Sequence, residues 1–261
     1  MADVNRHASG ATRGGRSCPG EPRSARVPRR PKRYSPRQIE RALARHDLRV
    51  ADVDVGPGMR LRIAEVEDAY ALLDRMIAQE SLKHRVERFP YWAEVWPSSV
   101  ALGRWFVAAG LPRPPAPVLE LGCGLGVAGI ALARLGWRVE ATDFVEDALL
   151  FAAHNARLNQ VQDRHHVGYL DWSNPVGQPS PCLIASDVAY ERKNHRYLLR
   201  VLRALLEPGG RFYMSDPGRR PAAQLVDMLR NKGYGHGAHA VTQRWKSTEH
   251  SVTVHVFTKP C

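Results

Sequence analysis

The sequence contains no run of about 18 apolar residues, so we expect no membrane-spanning helix. Its first residues lack the apolar stretch of a secretory signal, and we expect a cytoplasmic chain. Cysteine is scarce and its spacing indicates neither a zinc finger nor a disulfide framework; the four positions are Cys18, Cys123, Cys182 and Cys261. The eleven histidines form no metal-binding set, so no metal is expected. The 261 residues suffice for one sizeable domain and an appendage.

The basic character of the chain is concentrated at its N-terminus. Of the net charge of +12, residues 1–50 contribute +9. Residues 1–33 have almost no large apolar side chains, so burial cannot offset the entropy lost on ordering, and they are predicted to form a disordered basic tail. A solvated tail is the simplest interpretation. A nucleic-acid arm with weak contacts and an organelle transit peptide are the alternatives, although the amphipathic pattern of a transit peptide is missing.

Two further segments follow the tail. Residues 34–96 are predicted to form an N-terminal extension with a helix over about 36–46, a strand at MRLRIAEV and a helix at EVEDAYALLDRMIAQE. Residues 97–261 are predicted to form the main domain. Its first helix, SSVALGRWFVAAG, is closed by a glycine and followed by a proline-rich linker.

After this linker, strand-like and helix-like segments alternate. Strands are predicted near 117–121, 138–142, 166–170, 181–186 and 210–215. Helices are predicted near 126–135, 146–159, 193–206 and 221–231. This alternation indicates an α/β fold with a mostly parallel sheet and helices on both faces. The last two strand-like runs, HGAHAVTQRW and HSVTVHVFTK, have no helix between them and are predicted to pair as a hairpin.

A glycine-rich turn joins the first of these strands to the first of these helices, in VLELGCGLGVAGIALA (residues 118–133). Gly124, Gly126 and Gly129 match the G-x-G-x-x-G pattern of dinucleotide-binding turns. Asp143 lies 19 residues after Gly124, close to where such folds place an acid that binds ribose. Taken alone, these residues indicate an oxidoreductase.

The register of the glycines argues against a dinucleotide. Counted from Gly122, which directly follows the strand, the third glycine would fall at Val127, where a side chain hinders close packing of helix and strand. A second pattern, E-x-G-x-G-x-G, is formed by Glu120, Gly122, Gly124 and Gly126. It suits S-adenosylmethionine, which carries no phosphate and can lie against bare backbone. Cys123, inside the turn, is interpreted as a small filler that lines the ligand site rather than as a nucleophile.

Acidic and aromatic residues follow the next two strands. Asp143 ends the strand VEATD, where it can accept hydrogen bonds from both ribose hydroxyls or cap the next helix. Asp171 and Trp172 follow the third strand, at the carboxyl edge where ligands bind in parallel sheets. Asp171 could accept a hydrogen bond from an adenine amino group, and Trp172 could cover the adenine or pack in the core. For Asp143 and for Trp172, both interpretations are left open.

The motifs resemble a known family when they are taken together. PYWAEVWPSSVALGRWF, VLELGCGLG, ATD, NARLN, LDW and SDVAY occur in this order over about residues 88–260. In this combination they resemble the seven-β-strand protein-lysine methyltransferases called methyltransferase family 16. The D-x-x-Y signature of that family is met by Asp187 and Tyr190. PYWAEVWP and DPGRRP are most similar to the electron-transfer-flavoprotein β-subunit lysine methyltransferases, whereas the basic N-terminus has no counterpart in the family pattern.

This resemblance implies a fold, a cofactor and a set of contacts. The fold is the class I methyltransferase fold: a Rossmann-like, mostly parallel sheet of seven strands with an antiparallel last strand. The cofactor is S-adenosyl-L-methionine. With the residue-based interpretations above, the cofactor-binding residues are predicted to be Trp96, Glu120, Gly122, Cys123, Gly124, Asp143, Asp171, Trp172 and Ser186.

Asp187 and Tyr190 are predicted to be the catalytic residues. A lysine amine must lose its proton before it attacks, and its free pKa is about 10.4. A carboxylate beside an ammonium raises the pKa of that ammonium, so Asp187 is interpreted as a group that orients the amine rather than as a strong base. Tyr190, Trp92 and Trp96 can supply aromatic faces that attract cations.

The sequence therefore predicts a monomeric protein-lysine N-methyltransferase, with the β subunit of electron transfer flavoprotein as a candidate substrate. Adenine and amide N-methyltransferases usually carry a Pro-Pro-aromatic motif after the fourth strand, and Val188, Ala189 and Tyr190 occupy that place here. A small-molecule or nucleic-acid methyltransferase on the same fold is nevertheless an alternative. A non-catalytic adenosine-binding scaffold is the alternative outside the enzymes.

Overall fold

The computed structural model describes residues 31–79 and 89–261. Residues 1–30, which make up most of the predicted tail, lie outside the described residues. Within the described ranges, no helix is both long and apolar enough to cross a bilayer. Cys123 and Cys182 are buried free thiols.

The N-terminal extension contains more strand than the sequence predicted. Helix α1 (Pro36–Leu43) begins at a capping box and is followed by the antiparallel pair β1 (Leu48–Asp54) and β2 (Arg60–Val66). Strand β1 was not predicted. Helix α2 (Ala69–Gln79) begins later than expected, because β2 continues to Val66 and the Asp68 carboxylate caps the first turn by accepting hydrogen bonds from the next residues.

The main domain alternates strands and helices as predicted. After a short 3-10 turn (Tyr91–Ala93), its helices are α3 (Pro97–Ala109), α4 (Val127–Arg134), α5 (Glu146–Leu158), α6 (Arg192–Leu205) and α7 (Arg220–Asn231). Its strands are β3 (Val118–Leu121), β4 (Val139–Asp143), β5 (His165–Tyr169), β6 (Ser180–Ser186), β7 (Leu206–Asp216), β8 (Gly235–Trp245) and β9 (Thr248–Thr258). The seven strands form one sheet in the order β5-β4-β3-β6-β7-β9-β8, and β9 runs opposite to the other six strands. The predicted hairpin of β8 and β9 is confirmed.

Alternate residues of the central strands pack against helices on opposite faces of the sheet. Leu119 and Leu121 of β3 belong to the apolar cluster formed with α6 and α7. Val118 of the same strand belongs to the cluster formed with α3, α4, α5 and the extension. Helices therefore cover both faces, and the sheet is buried between them.

Two asparagines attach the extension to the main domain. The side-chain amides of Asn155 and Asn159, one turn apart on α5, each donate to and accept from the backbone of β2, at Ala64 and Arg62 respectively. Asn155 also donates to the carbonyl of Leu125 in the glycine turn, at 3.1 Å. The NARLN motif thus gives β2 the hydrogen bonds that a neighbouring strand would give it, and it links β2 to the turn.

The order of the strands determines where a ligand site can form. Strands β3 and β6 are neighbours, and the chain proceeds from them toward opposite ends of the sheet, which makes their carboxyl ends the topological switch point. In the register of the sheet, Leu121 pairs with Ala185 and with Thr142. The next residues, Gly122, Ser186 and Asp143, therefore leave the sheet side by side.

Candidate active site

The glycine turn is held open by three residues in the left-handed backbone region. Gly122, Gly124 and Gly126 have φ angles of +63°, +52° and +82°, which favour glycine. A Cβ on Gly122 would lie 3.3 Å from the indole of Trp172. The structure therefore brings together two parts of the predicted cofactor site that are 50 residues apart in the chain.

Asp143 lies beside this turn with its carboxylate oriented by backbone N–H groups. One carboxylate oxygen accepts a hydrogen bond from Gly124 at 3.1 Å and the other from Val145 at 3.0 Å. The residue is only 7% exposed, and burial raises the pKa of its carboxyl group, while these N–H donors oppose the rise. The next residue, Phe144, is 60% exposed at the same edge of the sheet. Sequence reasoning missed Phe144, although an aromatic residue directly after a strand-ending acid was a visible signal.

Glu120 lies beneath the turn. Its carboxylate is 1% exposed and accepts a hydrogen bond from the N–H of Gly129 in α4, at 3.3 Å. A Cβ on Gly129 would lie 2.2 Å from the other carboxylate oxygen and 3.0 Å from the imidazole of His165, so only glycine fits there. Burial raises the pKa of Glu120 to about 8 and lowers the pKa of His165 to about 4. Burial therefore favours the uncharged form of both side chains in the folded protein.

Cys123, the predicted filler of the turn, is 8% exposed. Burial raises the pKa of its thiol well above the usual range, and the neighbouring Asp143 and Glu120 raise it further. A thiol of this kind is a poor nucleophile, because the thiolate is the reactive form.

Asp171 and Trp172 follow β5 and behave differently from each other. The Asp171 carboxylate accepts hydrogen bonds from the N–H and the hydroxyl of Ser173, both at 2.7 Å, and these donors hold the pKa of Asp171 below its usual range. Trp172 packs partly against the apolar cluster beneath the sheet and partly against Gly122. Its indole therefore forms one wall of the turn.

Asp187 follows β6 in a conformation that is rare for a residue with a side chain. Its φ is +51°, and its N–H donates to the carbonyl of Ser215 at 2.9 Å. Its carboxylate forms a bidentate ion pair with the guanidinium of Arg219, at 2.8 and 2.9 Å. The sequence motif DPGRR drew attention to Arg219, but its pairing with Asp187 was not predicted.

Aromatic side chains of the extension contact Tyr190, which lies three residues after this acid. The ring of Tyr190 lies 5.1 Å from that of Tyr91, which lies 5.8 Å from the ring of Trp96. The Trp96 indole N–H donates to the Tyr91 carbonyl at 2.7 Å. Trp92 points elsewhere, because its ring packs against Phe151 of α5 at 5.2 Å. The expectation that Trp92 supplies a face to the substrate is therefore not supported by its position.

A buried carboxylate in the extension holds the segment that carries Trp96. Glu65 of β2 is fully buried, and its two oxygens accept from the N–H of Val95 and the guanidinium of Arg49, both at 2.8 Å. The extension thus fixes the backbone next to the aromatic residues of the cleft.

A family model described as lysine methyltransferase matches residues 78–226. This match covers more than half of the chain and includes the glycine turn, Asp143 and the segment from Asp187 to Tyr190.

Two curated relatives show the range of similar proteins. The ribosomal protein L11 methyltransferase of Methylococcus capsulatus is 33% identical over 142 residues, which are 53% of this chain and 45% of that protein. The ubiquinone biosynthesis O-methyltransferase of Xanthomonas campestris is 30% identical over 122 residues, which are 45% of this chain and 50% of that protein. The chain thus spans half or less of the length of these relatives.

Two solved structures are similar to this chain. A structure solved for the conversion of a disulfide bond into a thioacetal group during echinomycin biosynthesis has a TM-score of 0.50 and 16% identity, and covers 74% of this chain and 92% of that one. The magnesium protoporphyrin IX methyltransferase from Synechocystis, solved with bound SAM, has a TM-score of 0.49 and 18% identity over 72% of this chain and 91% of that one. At these identities the likeness concerns the fold alone. Together with the family match and the strand order, the sheet confirms the predicted class I methyltransferase fold.

Proposed function

Because the chain belongs to the lysine methyltransferase family, we propose that it transfers methyl groups to the side-chain amine of a lysine in a protein substrate. The observation that carries this proposal is the match of the family model across both the glycine turn and the Asp187–Tyr190 segment. The chain is a methyltransferase, and its cofactor is S-adenosylmethionine, which supplies an electrophilic methyl group on a sulfonium when bound. The protein-lysine substrate is the proposed part.

The residues of the turn fit this cofactor. Gly122 and Gly124 offer bare backbone at positive φ, so a ligand can approach without meeting a Cβ. Asp143 has two carboxylate oxygens at the edge of the sheet, and each can accept a further hydrogen bond from a diol. Trp172 and the exposed ring of Phe144 offer apolar surfaces for a base.

The remaining predicted contacts have different roles in this proposal. Glu120, beneath the turn, and Cys123, within it, act through shape, since both are buried. Asp171 holds the turn after β5 through Ser173, next to Trp172. Ser186 leaves the sheet beside Gly122, and Trp96 contacts Tyr91 on the aromatic side of the cleft.

The aromatic side of the cleft fits a substrate cation. Tyr91, Trp96 and Tyr190 can attract a lysine ammonium by cation–π interaction and then disfavour its charged form by excluding water. The Asp187 carboxylate can accept a hydrogen bond from the amine and fix its direction of approach. Alignment of this kind supplies a large part of the acceleration in a displacement reaction.

The relatives support a protein substrate without selecting one. The name of the Methylococcus relative contains a ribosomal protein, whereas those of other relatives contain ubiquinone biosynthesis or ribosomal RNA. The motif DPGRR, with Asp216 and Arg219, favours the β subunit of electron transfer flavoprotein. We therefore take that subunit and ribosomal protein L11 as the first two candidates.

The test is incubation of the purified chain with S-adenosylmethionine that carries a labelled methyl group. Electron transfer flavoprotein, ribosomal protein L11, total bacterial RNA and a small-molecule extract are offered separately, and products are identified by mass spectrometry. We expect label on a lysine side chain of a protein. The Asp187→Asn variant serves as control, because it should bind the cofactor but transfer little label.

Other outcomes contradict the proposal in distinct ways. Label in RNA or in a small molecule would place the chain with the alternative methyltransferases. Cofactor binding without transfer to any fraction would favour the adenosine-binding scaffold.

A further inference from the structure

The ion pair between Asp187 and Arg219 links two motifs that lie 32 residues apart in the chain. Both carboxylate oxygens of Asp187 face the guanidinium, at 2.8 and 2.9 Å. The Asp187 side chain is 10% exposed, so the pair is partly shielded from water on the side of the acid. In such surroundings a bidentate pair is stronger and more directional than an ion pair on the surface.

Arg219 is held in place by its own backbone. The N–H groups of Gly218 and Arg219 both donate to one carboxylate oxygen of Asp216, at 2.7 Å. Gly218 has a φ of +90°, which allows this tight turn before α7. Arg219 therefore leaves the turn in a fixed direction, toward Asp187, and it does not need a substrate to reach that position.

We propose that Arg219 is a positioning residue that neutralises and orients Asp187, so that this carboxylate can bind the substrate amine without stabilising its protonated form. This inference rests on the proposed lysine methyltransferase function. It assigns a role in the reaction to a residue that lies outside the D-x-x-Y signature.

The pairing with Arg219 changes both the charge that Asp187 presents to the amine and the number of its free lone pairs. A lone carboxylate beside an ammonium raises the pKa of that ammonium and keeps the amine from attacking. A carboxylate that is already paired with a guanidinium has a net charge near zero as a pair, so the rise is small. An ionised carboxylate has about four sites for hydrogen-bond donors, and Arg219 occupies two of them. The remaining sites can accept from the amine.

The other groups that face the pair do not replace Arg219. Asp216 is a second carboxyl group close to the guanidinium, and burial raises its pKa. Tyr91, in the 3-10 turn, lies near enough to the Arg219 guanidinium to interact with it electrostatically, and its ring contacts that of Tyr190. Neither tyrosine carries a positive charge. Among the described residues that face Asp187, Arg219 is thus the group that supplies positive charge. Without it, Asp187 and Asp216 would face the amine as two carboxyl groups.

The experiment compares Arg219→Gln with Arg220→Gln, the neighbouring arginine on the exposed surface at the start of α7. Methyl transfer to electron transfer flavoprotein and to ribosomal protein L11 is measured from pH 7 to 10. For Arg219→Gln we expect kcat/KM to fall by about tenfold to a hundredfold at pH 7 and its acid limb to move up by about one pH unit. The deficit should therefore shrink as pH rises. Arg220→Gln should match the unchanged chain.

Two further variants distinguish charge from position. Arg219→Lys keeps the charge but loses the bidentate fork, so kcat should fall while the acid limb stays in place. In the double variant Asp187→Asn with Arg219→Gln, the loss should be close to that of Asp187→Asn alone, because Arg219 acts through Asp187. Binding of S-adenosylhomocysteine should be unchanged in all variants.

Four results would overturn the inference. A pH profile of Arg219→Gln that is lowered evenly would show a purely structural role, as would loss of S-adenosylhomocysteine binding. Normal turnover of Arg219→Gln would show that Asp187 needs no partner. If the unchanged chain labels no protein, the proposed function fails and the inference fails with it. If the unchanged chain labels a protein and the Arg219→Gln variant labels it at the same rate, the inference alone is refuted.

Discussion

The two acids at the carboxyl edge of the sheet, Asp143 at the end of β4 and Asp187 directly after β6, are held by different kinds of group. Backbone N–H groups of Gly124 and Val145 hold Asp143. The side chain of Arg219 holds Asp187. Most substitutions leave a backbone N–H donor in place, whereas a single substitution of Arg219 removes the side-chain donor. The side of the cleft that contains Asp143 should therefore keep its shape, whereas the side that contains Asp187 can change with few substitutions.

This contrast matches the chemistry that each half serves in the proposed function. The cofactor is one molecule, and glycines with backbone donors suffice to bind it. A protein substrate must be recognised by its own surroundings, and aromatic side chains with an ion pair offer more variety for that purpose. Substitutions on the two sides should therefore separate cofactor affinity from turnover.

The largest effect is expected for Asp187→Asn. The amide retains the shape of the side chain but donates where a carboxylate would accept, so the amine is misplaced, and a shift of about 1 Å can cost on the order of a hundredfold in rate. Cofactor affinity and melting temperature should be nearly unchanged. Turnover on a labelled protein substrate and calorimetric titration with S-adenosylhomocysteine measure the two quantities.

Asp187→Glu is the companion variant and should also be poor, because the added methylene moves the carboxylate into the position of the amine. Near-normal turnover of Asp187→Asn would show that the amine is held elsewhere. Loss of folding in that variant would indicate instead that the ion pair with Arg219 is needed for stability.

On the other side of the cleft, Asp143→Ala should weaken cofactor binding. A hydrogen bond to a charged acceptor contributes about 1.5–3 kcal/mol, so the affinity should fall by about tenfold or more. Calorimetric titration with S-adenosylmethionine measures the loss, and NAD should not bind either protein. Unchanged affinity in a folded variant would remove Asp143 from the site.

A smaller effect on stability, which depends on pH, is expected from Glu120, the buried acid beneath the turn. The pKa of Glu120 is raised by burial to about 8 in the folded protein, so the folded state holds a proton that the unfolded state releases. Stability from this group is complete below the unfolded pKa of about 4.3 and is lost as pH rises through 8. Between pH 6.5 and 8 the loss should be about 1–2 kcal/mol.

The variant Glu120→Gln cannot titrate and should not show this loss. His165 acts in the opposite direction, because its lowered pKa makes stability rise with pH, but that rise is complete by about pH 6.5. Thermal unfolding of both proteins from pH 6.5 to 8 gives the comparison. Equal slopes would mean that Glu120 is already ionised in the folded protein.

The sequence revealed local structure better than it revealed contacts between distant residues. Strands β3 to β7 and their helices lie within a few residues of their predicted positions, because buried parallel strands and amphipathic helices have strong periodicity. Strand β1, with the sequence LRVADVD, was missed because its pairing with β2 and not its composition determines it.

In the candidate site, too, local features could be predicted from the sequence but contacts between distant residues could not. The residue types at the carboxyl edge could be read from their positions after the strands. The pairing of Asp187 with Arg219 could not, because it depends on how α7 is placed against β6. The same holds for Trp92, whose ring turns toward Phe151 because α5 packs there.

The smallest effect is expected at the N-terminus, where the structure refines the boundary of the predicted tail. The N–H of Lys32 donates to the carbonyl of Val167 at 2.8 Å, and its ammonium forms an ion pair with Glu146. The hydroxyl of Tyr34 donates to the same carboxylate at 2.8 Å. Deletion of residues 1–30 should therefore leave melting temperature and cofactor affinity unchanged.

Deletion of residues 1–33 should cost slightly more, because it also removes an exposed ion pair that contributes about 0–1 kcal/mol. Thermal unfolding and calorimetric titration of the two truncated chains measure these differences. Loss of activity on a protein substrate after removal of residues 1–30 would instead identify the tail as a substrate-docking arm. Loss of salt-sensitive RNA binding would identify it as a nucleic-acid arm, since phosphate contacts by arginine weaken steeply as salt increases.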